Sequence, residues 1–545
     1  MAENDQRERS FWRGREGAAA ALVLVAAGLS RLPFFSPVLD SWDACQFALA
    51  LERYNVALHR PHPPGYPLFV APAYALFKLR LSGHAALVAC SVAWGLGACW
   101  AVFALARRIY GRRAGVYALV LAAWAPMLWA LSEVGLSYTA EACCSAVVGL
   151  LCYRAWRGER AALWWAALAL GAAGGVRQNV FLFCLPLFLL SAWRQGAKRA
   201  AGALALAGAV LCLALLPAML SCGDAREYFA ASRAQFCYVV WWPSAAREVA
   251  SARFAQAAAN LWENARTLGV ALVAEVLALA VGAVPLGLFG FGEGEKGGLR
   301  GLAGWFALWF FPGLVFECLF IVGHTGYALF FGPPLWVLAG GGLSYLAARW
   351  RVGPWPALLC LAANVAVFFA LRPADVARWR ALEAKLRYVR EHFDPRETVL
   401  ICAREARHAQ YYLREFQGFQ LPGWWTAGVD AFWALGDPHG FRHGMEQYRR
   451  ALVPVEQTTL PALPPLRERL RRRVSVRLPR WANYAVFLDE RYLALADTPL
   501  REVRLGSGET VAVVDLRRAG RKLTYGLALG YFSRAEASER SPARR

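Results

Sequence analysis

Two carboxylates stand three residues apart in Leu39-Asp40-Ser41-Trp42-Asp43-Ala44-Cys45-Gln46-Phe47. On a helix that spacing puts both on one face, so Asp40 and Asp43 could supply a general base or weakly hold a divalent metal. The stretch His59-Arg60-Pro61-His62-Pro63-Pro64-Gly65-Tyr66-Pro67 follows. Its prolines fix φ and remove backbone donors, which predicts a rigid non-helical bend that holds His62 in place. A plainer reading makes the aspartates a helix start and the prolines the entry to a span. Further ionisable and aromatic groups come later in the chain. They are Glu133, Tyr138 and Glu141, then Arg177-Gln178-Asn179, then His324 and Tyr327. A carboxylate can take a proton from a hydroxyl and a cation can hold a phosphate. Any one of these residues alone is more often a satisfied structural group; gathered on one face they make a site.

The elements that must position them are set by composition. Of 545 residues, 58% are hydrophobic and 18% charged, and the mean hydropathy is +0.33. Soluble domains average roughly 45–50% apolar and about 25% charged, so a soluble enzyme, a disordered chain and a disulfide scaffold are excluded. The apolar residues fall in blocks the length of hydrocarbon-spanning helices, separated by short basic loops. The chain therefore reads as an α-helical multi-pass membrane protein. Much of its net charge of +22 sits in those loops, where Lys and Arg set orientation, and does not point to nucleic acid. Among the thirteen cysteines there is no CxxC pair, which argues against structural zinc. Cys90, Cys99, Cys143, Cys144, Cys152 and Cys212 lie within spans as packing residues. Cys222 and Cys237 share one loop and could pair in an oxidising compartment.

Residues 1–16 form a basic tail with Arg7, Arg9, Arg13 and Arg15, which places the N-terminus in the cytoplasm. An uncleaved first span follows at 17–38. Further spans are predicted at about 83–106, 114–132, 138–153, 161–176, 179–193, 200–220, 266–290, 301–322, 326–346 and 354–371, about eleven in all. Alternate loops test this count. Those at 107–113, 154–160, 194–199 and 349–351 are basic and the one at 293–300 is mixed, as cytoplasmic loops should be. The opposite, extracytoplasmic side then receives the first loop (39–82), a second loop (221–262) and the polar region 372–545. All the ionisable candidates map to that side, where such groups near a span are site candidates by default. The aromatics Tyr238, Trp241 and Trp242 of the second loop suit interfacial anchors better than ligand contacts.

Residues 372–545 carry no span and predict a small α/β domain. Strands are expected at 398–401, 484–488 and 510–514, and a helix at 404–416. The basic run 471–473 reads as a solvated face, with an anionic lipid or phosphate contact as the alternative. No internal repeat is visible, which weighs against the duplicated architecture of many transporters.

An acidic residue in the first outer loop followed by His62-Pro63-Pro64-Gly65-Tyr66-Pro67-Leu68 resembles the GT-C superfamily of membrane glycosyltransferases, nearest its protein O-mannosyltransferase-like bacterial branch. Gly174-Gly175-Val176-Arg177-Gln178-Asn179, His324-Thr325-Gly326-Tyr327 and Tyr411-Tyr412-Leu413 are similar to that group too. The resemblance covers 17–371, the membrane domain, and touches 372–545 loosely. It implies a polyprenyl-phosphate-linked sugar as donor, transfer to an acceptor protein, lipid or glycan on the extracytoplasmic face of the inner membrane, and inversion at the anomeric carbon. It also implies Asp43 as general base, with Asp40 as second candidate or partner. The family often has a second acidic residue directly after the base, where this chain has Ala44. Arg177 is the expected phosphate ligand, with His324, Tyr327 and His62 beside it. Glu133, Tyr138, Glu141 and Tyr66 are expected toward sugar or acceptor. The design requires no cofactor. A lipid-linked sugar flippase or other transporter, and a non-catalytic scaffold for the C-terminal domain, are the alternatives.

Overall fold

The computed structural model describes residues 15–241, 246, 249, 254–273, 277–278, 298–321, 325–402, 405–420, 431–433, 473–478, 480–488, 501–520 and 522–526. The chain divides into two compact units, Met1–Val376 and Ala377–Arg545.

The first unit is helical. In chain order its helices are α1 Arg15–Leu29, α2 Trp42–Glu52, α3 Pro67–Lys78, α4 Gly83–Tyr110, α5 Arg112–Ala123, α6 Pro126–Leu131, α7 Tyr138–Trp156 and α8 Arg160–Val176. They continue as α9 Gln178–Trp193, α10 Ala197–Ser221, α11 Ala225–Trp241, α12 Phe254–Ala271, α13 Gly298–Phe320, α14 Ala328–Arg349 and α15 Trp355–His392. Among the described residues six helices are long and apolar enough to cross a membrane, and α3, α8 and α9 are shorter apolar helices. Two spans in the sequence count of about eleven fall short for visible reasons. The 114–132 block is divided by Pro126, which starts the separate helix α6. The helix α7 carries Glu141 in its first turn. The span expected at 266–290 lies largely outside the described residues.

Three boundaries differ from the sequence reading. The first outer loop is not loop throughout, since α2 and α3 occupy much of it. The second holds α11 and part of α12. The helix that carries the last predicted span does not end at 371: α15 runs on to His392. Past Leu371 the residues turn polar, but Ala, Arg, Leu, Glu and Lys keep high helix propensity, so hydropathy stops where the helix does not.

Inside a bilayer apolar burial does not drive helices together, and small residues with interhelical hydrogen bonds take that role. At Gly340 an added Cβ would meet the Ala118 Cβ at 2.6 Å and the Ala118 nitrogen at 2.7 Å, so α14 and α5 touch along their backbones. Trp309 Nε1 donates to Ser145 Oγ at 2.9 Å, and Ser145 donates to the Phe330 carbonyl at 2.8 Å. That chain of bonds ties α13, α7 and α14 together around the buried Trp305, Trp309 and Trp336.

The second unit is α/β. Its strands are β1 Thr398–Cys402, β2 Gln417–Gln420, β3 Ala431–Trp433, β4 Arg473–Arg477, β5 Tyr484–Phe487, β6 Arg501–Arg504, β7 Thr510–Asp515 and β8 Lys522–Gly526, with short helices α16 Ala406–Tyr412 and α17 Leu516–Ala519. The main sheet has the order β3-β2-β1-β5-β7-β6, and β4 pairs with β8 separately. The strand β1 is parallel to both its neighbours. It is buried along its whole length, which matches its unbroken apolar sequence. The strands expected from the sequence at 398, 484 and 510 are present. The expected helix is shorter than 404–416, because Leu413 leaves the helical conformation as its C-cap. Of the basic run 471–473, only Arg473 lies within a described strand.

Candidate active site

The first group of polar residues is built by α2, the proline bend and the start of α3. Ser41 is the N-cap of α2, and its Oγ accepts from the Ala44 N–H at 3.3 Å. The helix therefore begins at Trp42, and Asp43 falls in its first turn, where the helix dipole favours a carboxylate. Asp40 lies before the cap and does not share a helical face with Asp43, which corrects the sequence reading of the pair. Gln46 and Phe47, three and four residues on, do share the face of Asp43.

His62 comes to that face from the proline bend. Its Nδ1 is 2.7 Å from Gln46 Oε1 and 3.7 Å from Asp43 Oδ1, and its Nε2 is 2.9 Å from the Tyr66 hydroxyl. The Asp43 side chain is 50% exposed against 12% for His62, so the carboxylate is open to a reactant while its neighbour is enclosed. Phe47 packs edge-on against Tyr66 and Phe69 and closes the group from below. Tyr66 has a left-handed backbone, φ +51°, which is unusual for a bulky residue and costs strain. Its ring contacts and hydroxyl bond hold it there. Burial pushes the Tyr66 phenol well above its ordinary value, so the hydroxyl remains a hydrogen-bond donor at working pH.

The bend is pinned from a second side. Tyr54 donates to the Gly65 carbonyl at 2.7 Å and Tyr228, on α11, donates to the Pro64 carbonyl at 3.1 Å. Gly65 has φ +109°, and an added Cβ would lie 2.7 Å from Tyr54 Oη and 2.8 Å from Ala218 Cβ. Gly65→Ala is accordingly expected to destabilise the protein through about 1–2 kcal/mol of backbone strain and about 1–3 kcal/mol of overpacking. Thermal unfolding in detergent would read this as a lower midpoint; an unchanged midpoint would mean the bend is loosely held. Cys222 is buried in the same cluster with Val56, Ala57, Ala218 and Tyr228. The side chains of its suggested partner Cys237 and of Tyr238, Trp241 and Trp242 lie outside the described residues.

The second group gathers at the break between α8 and α9. Arg177 leaves helical geometry there, with φ −157° and ψ 119°, directly after Gly174-Gly175-Val176. Its Nε lies 3.1 Å from Glu141 Oε2, and its Nη1 donates to Ser137 Oγ at 3.0 Å. The guanidinium lies over the ring of Tyr138 at 4.4 Å and that of Tyr327 at 4.7 Å. Asn179 donates to the other Glu141 oxygen. Gly326 allows this packing, because a Cβ there would be 2.7 Å from the Tyr138 ring. Tyr66, which bonds His62 in the first group, lies within electrostatic range of Arg177 and Glu141 in the second.

Glu133 is held in a different setting. It is fully buried and ion-paired with Arg372 of α15, which also donates to the Phe34 carbonyl. Trp129 stacks on Phe368 beside the pair at 3.9 Å. His324 lies outside the described residues. Among the described residues no group of three His, Cys, Asp or Glu side chains could hold a metal ion.

Two residues of the site are absent from the sequence reading. Gln46 carries no charge and gave no signal beyond its spacing from Asp43. Glu317 on α13 is 1% exposed, and its Oε2 has no hydrogen-bond partner among the described residues. It is within electrostatic reach of Arg177 and Glu141. Its signal was available, because it is the one charged residue in the apolar run 301–321.

Comparison with known proteins agrees with this architecture. Residues 61–221, which hold the bend, Glu141 and Arg177, match the sequence pattern of the family described as dolichyl-phosphate-mannose-protein mannosyltransferase. No curated protein sequence matches the chain significantly. The structure of ArnT from Cupriavidus metallidurans bound to undecaprenyl phosphate is similar, with TM-score 0.52 and 12% identity, covering 92% of this chain and 98% of that one. The apo form of the same protein matches with TM-score 0.52 and 13% identity, covering 93% and 98%. This chain is thus a multi-pass membrane protein that shares the fold of ArnT.

Proposed function

We propose that the protein transfers a sugar from a polyprenyl-phosphate donor to an acceptor hydroxyl on the extracytoplasmic face of the membrane, with Asp43 as general base. The observation that carries this reading is a half-exposed carboxylate adjoining a buried arginine within one polar site. Asp43 takes the proton of the acceptor hydroxyl as its oxygen attacks the anomeric carbon. The bond from that carbon to the phosphate oxygen breaks, and the lipid phosphate leaves with the bonding electrons. Arg177 is the cation for that charge, fixed in advance by Glu141, Ser137 and the two tyrosine rings. Tyr138, Tyr327 and Tyr66 line the approach as polar and aromatic surface for donor and acceptor. Glu141 acts here through Arg177, and Glu133 through its pair with Arg372. A lipid-linked ligand is in keeping with ArnT, whose structure holds undecaprenyl phosphate.

The test gives membranes with and without the protein a panel of radiolabelled polyprenyl-phosphate sugars, with cell-envelope fractions as acceptors. Protein-dependent movement of label from lipid to another fraction is expected, and the responding sugar names the donor. Label that crosses the bilayer still attached to lipid would instead support a flippase. Label that stays on lipid with every donor would count against transfer.

A further inference from the structure

Gln46 is 1% exposed and bonds twice to the same residue. The backbone N–H of His62 donates to Gln46 Oε1 at 3.2 Å, and His62 Nδ1 lies 2.7 Å from that oxygen. A backbone N–H can only donate, so the amide atom facing it must be the oxygen. That removes the usual ambiguity of a glutamine amide. An oxygen at 2.7 Å from Nδ1 then requires the proton on Nδ1. In the neutral ring the other nitrogen, Nε2, is then the acceptor for the Tyr66 hydroxyl at 2.9 Å. The Nδ1–H is thereby placed with Asp43 Oδ1 as its second neighbour, at 3.7 Å.

We infer that Gln46 is a positioning residue that fixes His62 as the Nδ1–H tautomer, and that His62 in turn orients the Asp43 carboxylate. This rests on the transferase reading. It gives His62 a role toward the base in place of the phosphate contact expected from the sequence. The carboxylate keeps one oxygen toward His62 and turns the other to the acceptor hydroxyl. When Asp43 takes the acceptor proton, His62 keeps its own, so no charge accumulates on the imidazole and no further reactant is needed. Partners that orient a functional group commonly contribute about 10–100-fold, as the second shell of metal sites does.

Two measurements test the inference, one of them independent of turnover. The first is acylation of His62 by diethylpyrocarbonate in purified protein, followed by peptide mass mapping. The reagent needs an unprotonated ring nitrogen. In Tyr66→Phe the Nε2 lone pair loses its donor, so His62 should react at least about fivefold faster than in wild type, given the cost of engaging a nucleophilic nitrogen in a hydrogen bond. Equal rates would overturn the tautomer assignment whether or not the protein proves to be a transferase. The second is kinetic. Gln46→Leu should lower kcat about tenfold with donor KM within about twofold, the pattern of an interaction used in the transition state alone. Gln46→Glu, which restores an acceptor oxygen, should recover most of the rate and so shows that the loss is not one of folding. A rise in donor KM with kcat unchanged would place His62 on the phosphate and overturn the inference. Wild-type protein that consumes no donor would count against the transferase reading and, with it, the kinetic role of Gln46, while the acylation result would still decide the tautomer.

Discussion

Asp43→Asn lowers release of sugar from polyprenyl phosphate by about 100-fold or more, the usual range for removing a general base, and leaves the amount of folded protein unchanged. The substitution keeps the shape of the side chain. The hydrogen bond of His62 Nδ1 is to Gln46 Oε1 rather than to Asp43, so the local hydrogen bonding survives. Only the capacity to accept a proton from the acceptor is lost. The half-exposed position of Asp43 supports the same expectation, because water already solvates the side chain and its enclosed neighbour His62 keeps the Gln46 bond. Asp40→Asn, outside the helix that presents Asp43, retains most of the rate. Initial rates of label release, set beside thermal unfolding of the same preparations, check both. Equal rates for Asp43→Asn and wild type would remove the base from the account.

The second large effect is on stability. Glu141 is fully buried and Arg177 nearly so. Removing one member of such a pair leaves the other charge enclosed and uncompensated, at a cost of about 3–5 kcal/mol. Glu141→Leu should therefore unfold at a clearly lower temperature in detergent, or fail to be extracted folded. The paired change Glu141→Leu with Arg177→Met removes both charges and should recover most of the lost stability, because apolar residues of similar volume replace a buried ion pair at little cost. The double-mutant cycle then gives a large coupling energy, whereas strictly additive effects would mean the two residues do not hold one another. Activity separates the two roles. The paired variant is stable yet inactive if Arg177 is the cation for the departing phosphate.

Much of this site was legible before the structure because local spacing encodes it. Asp43 and Phe47 lie one helical turn apart, the prolines around His62 dictate a bend, and Gly174-Gly175 precede the break at which Arg177 turns inward. Those are short-range signals. The partners within each group depend on how helices distant in sequence pack, which spacing does not record. Arg177 finds Glu141 and Tyr327 across three different elements, and Glu133, although it shares a short segment with Tyr138, turns to Arg372 instead. Gln46 was passed over because an uncharged amide on an apolar helix is common. Glu317 lies within a span rather than at its end, where a lone carboxylate in an apolar run is itself a signal. In the fold, hydropathy located the apolar helices but not their ends. The helix α15 shows why: propensity carries it beyond the last apolar residue. The strands at 398, 484 and 510 were visible as β-branched apolar runs. The short polar strands β2 and β6 were not, since their pairing depends on neighbours far along the chain.

The anomeric configuration of the sugar before and after transfer tests the central claim most directly, read by NMR on a donor of defined configuration and on the product. One base and one displacement predict inversion, because the acceptor oxygen must approach opposite the departing phosphate. Net retention would require either two displacements or attack from the face of the departing phosphate, and would contradict a single in-line displacement with Asp43 as general base.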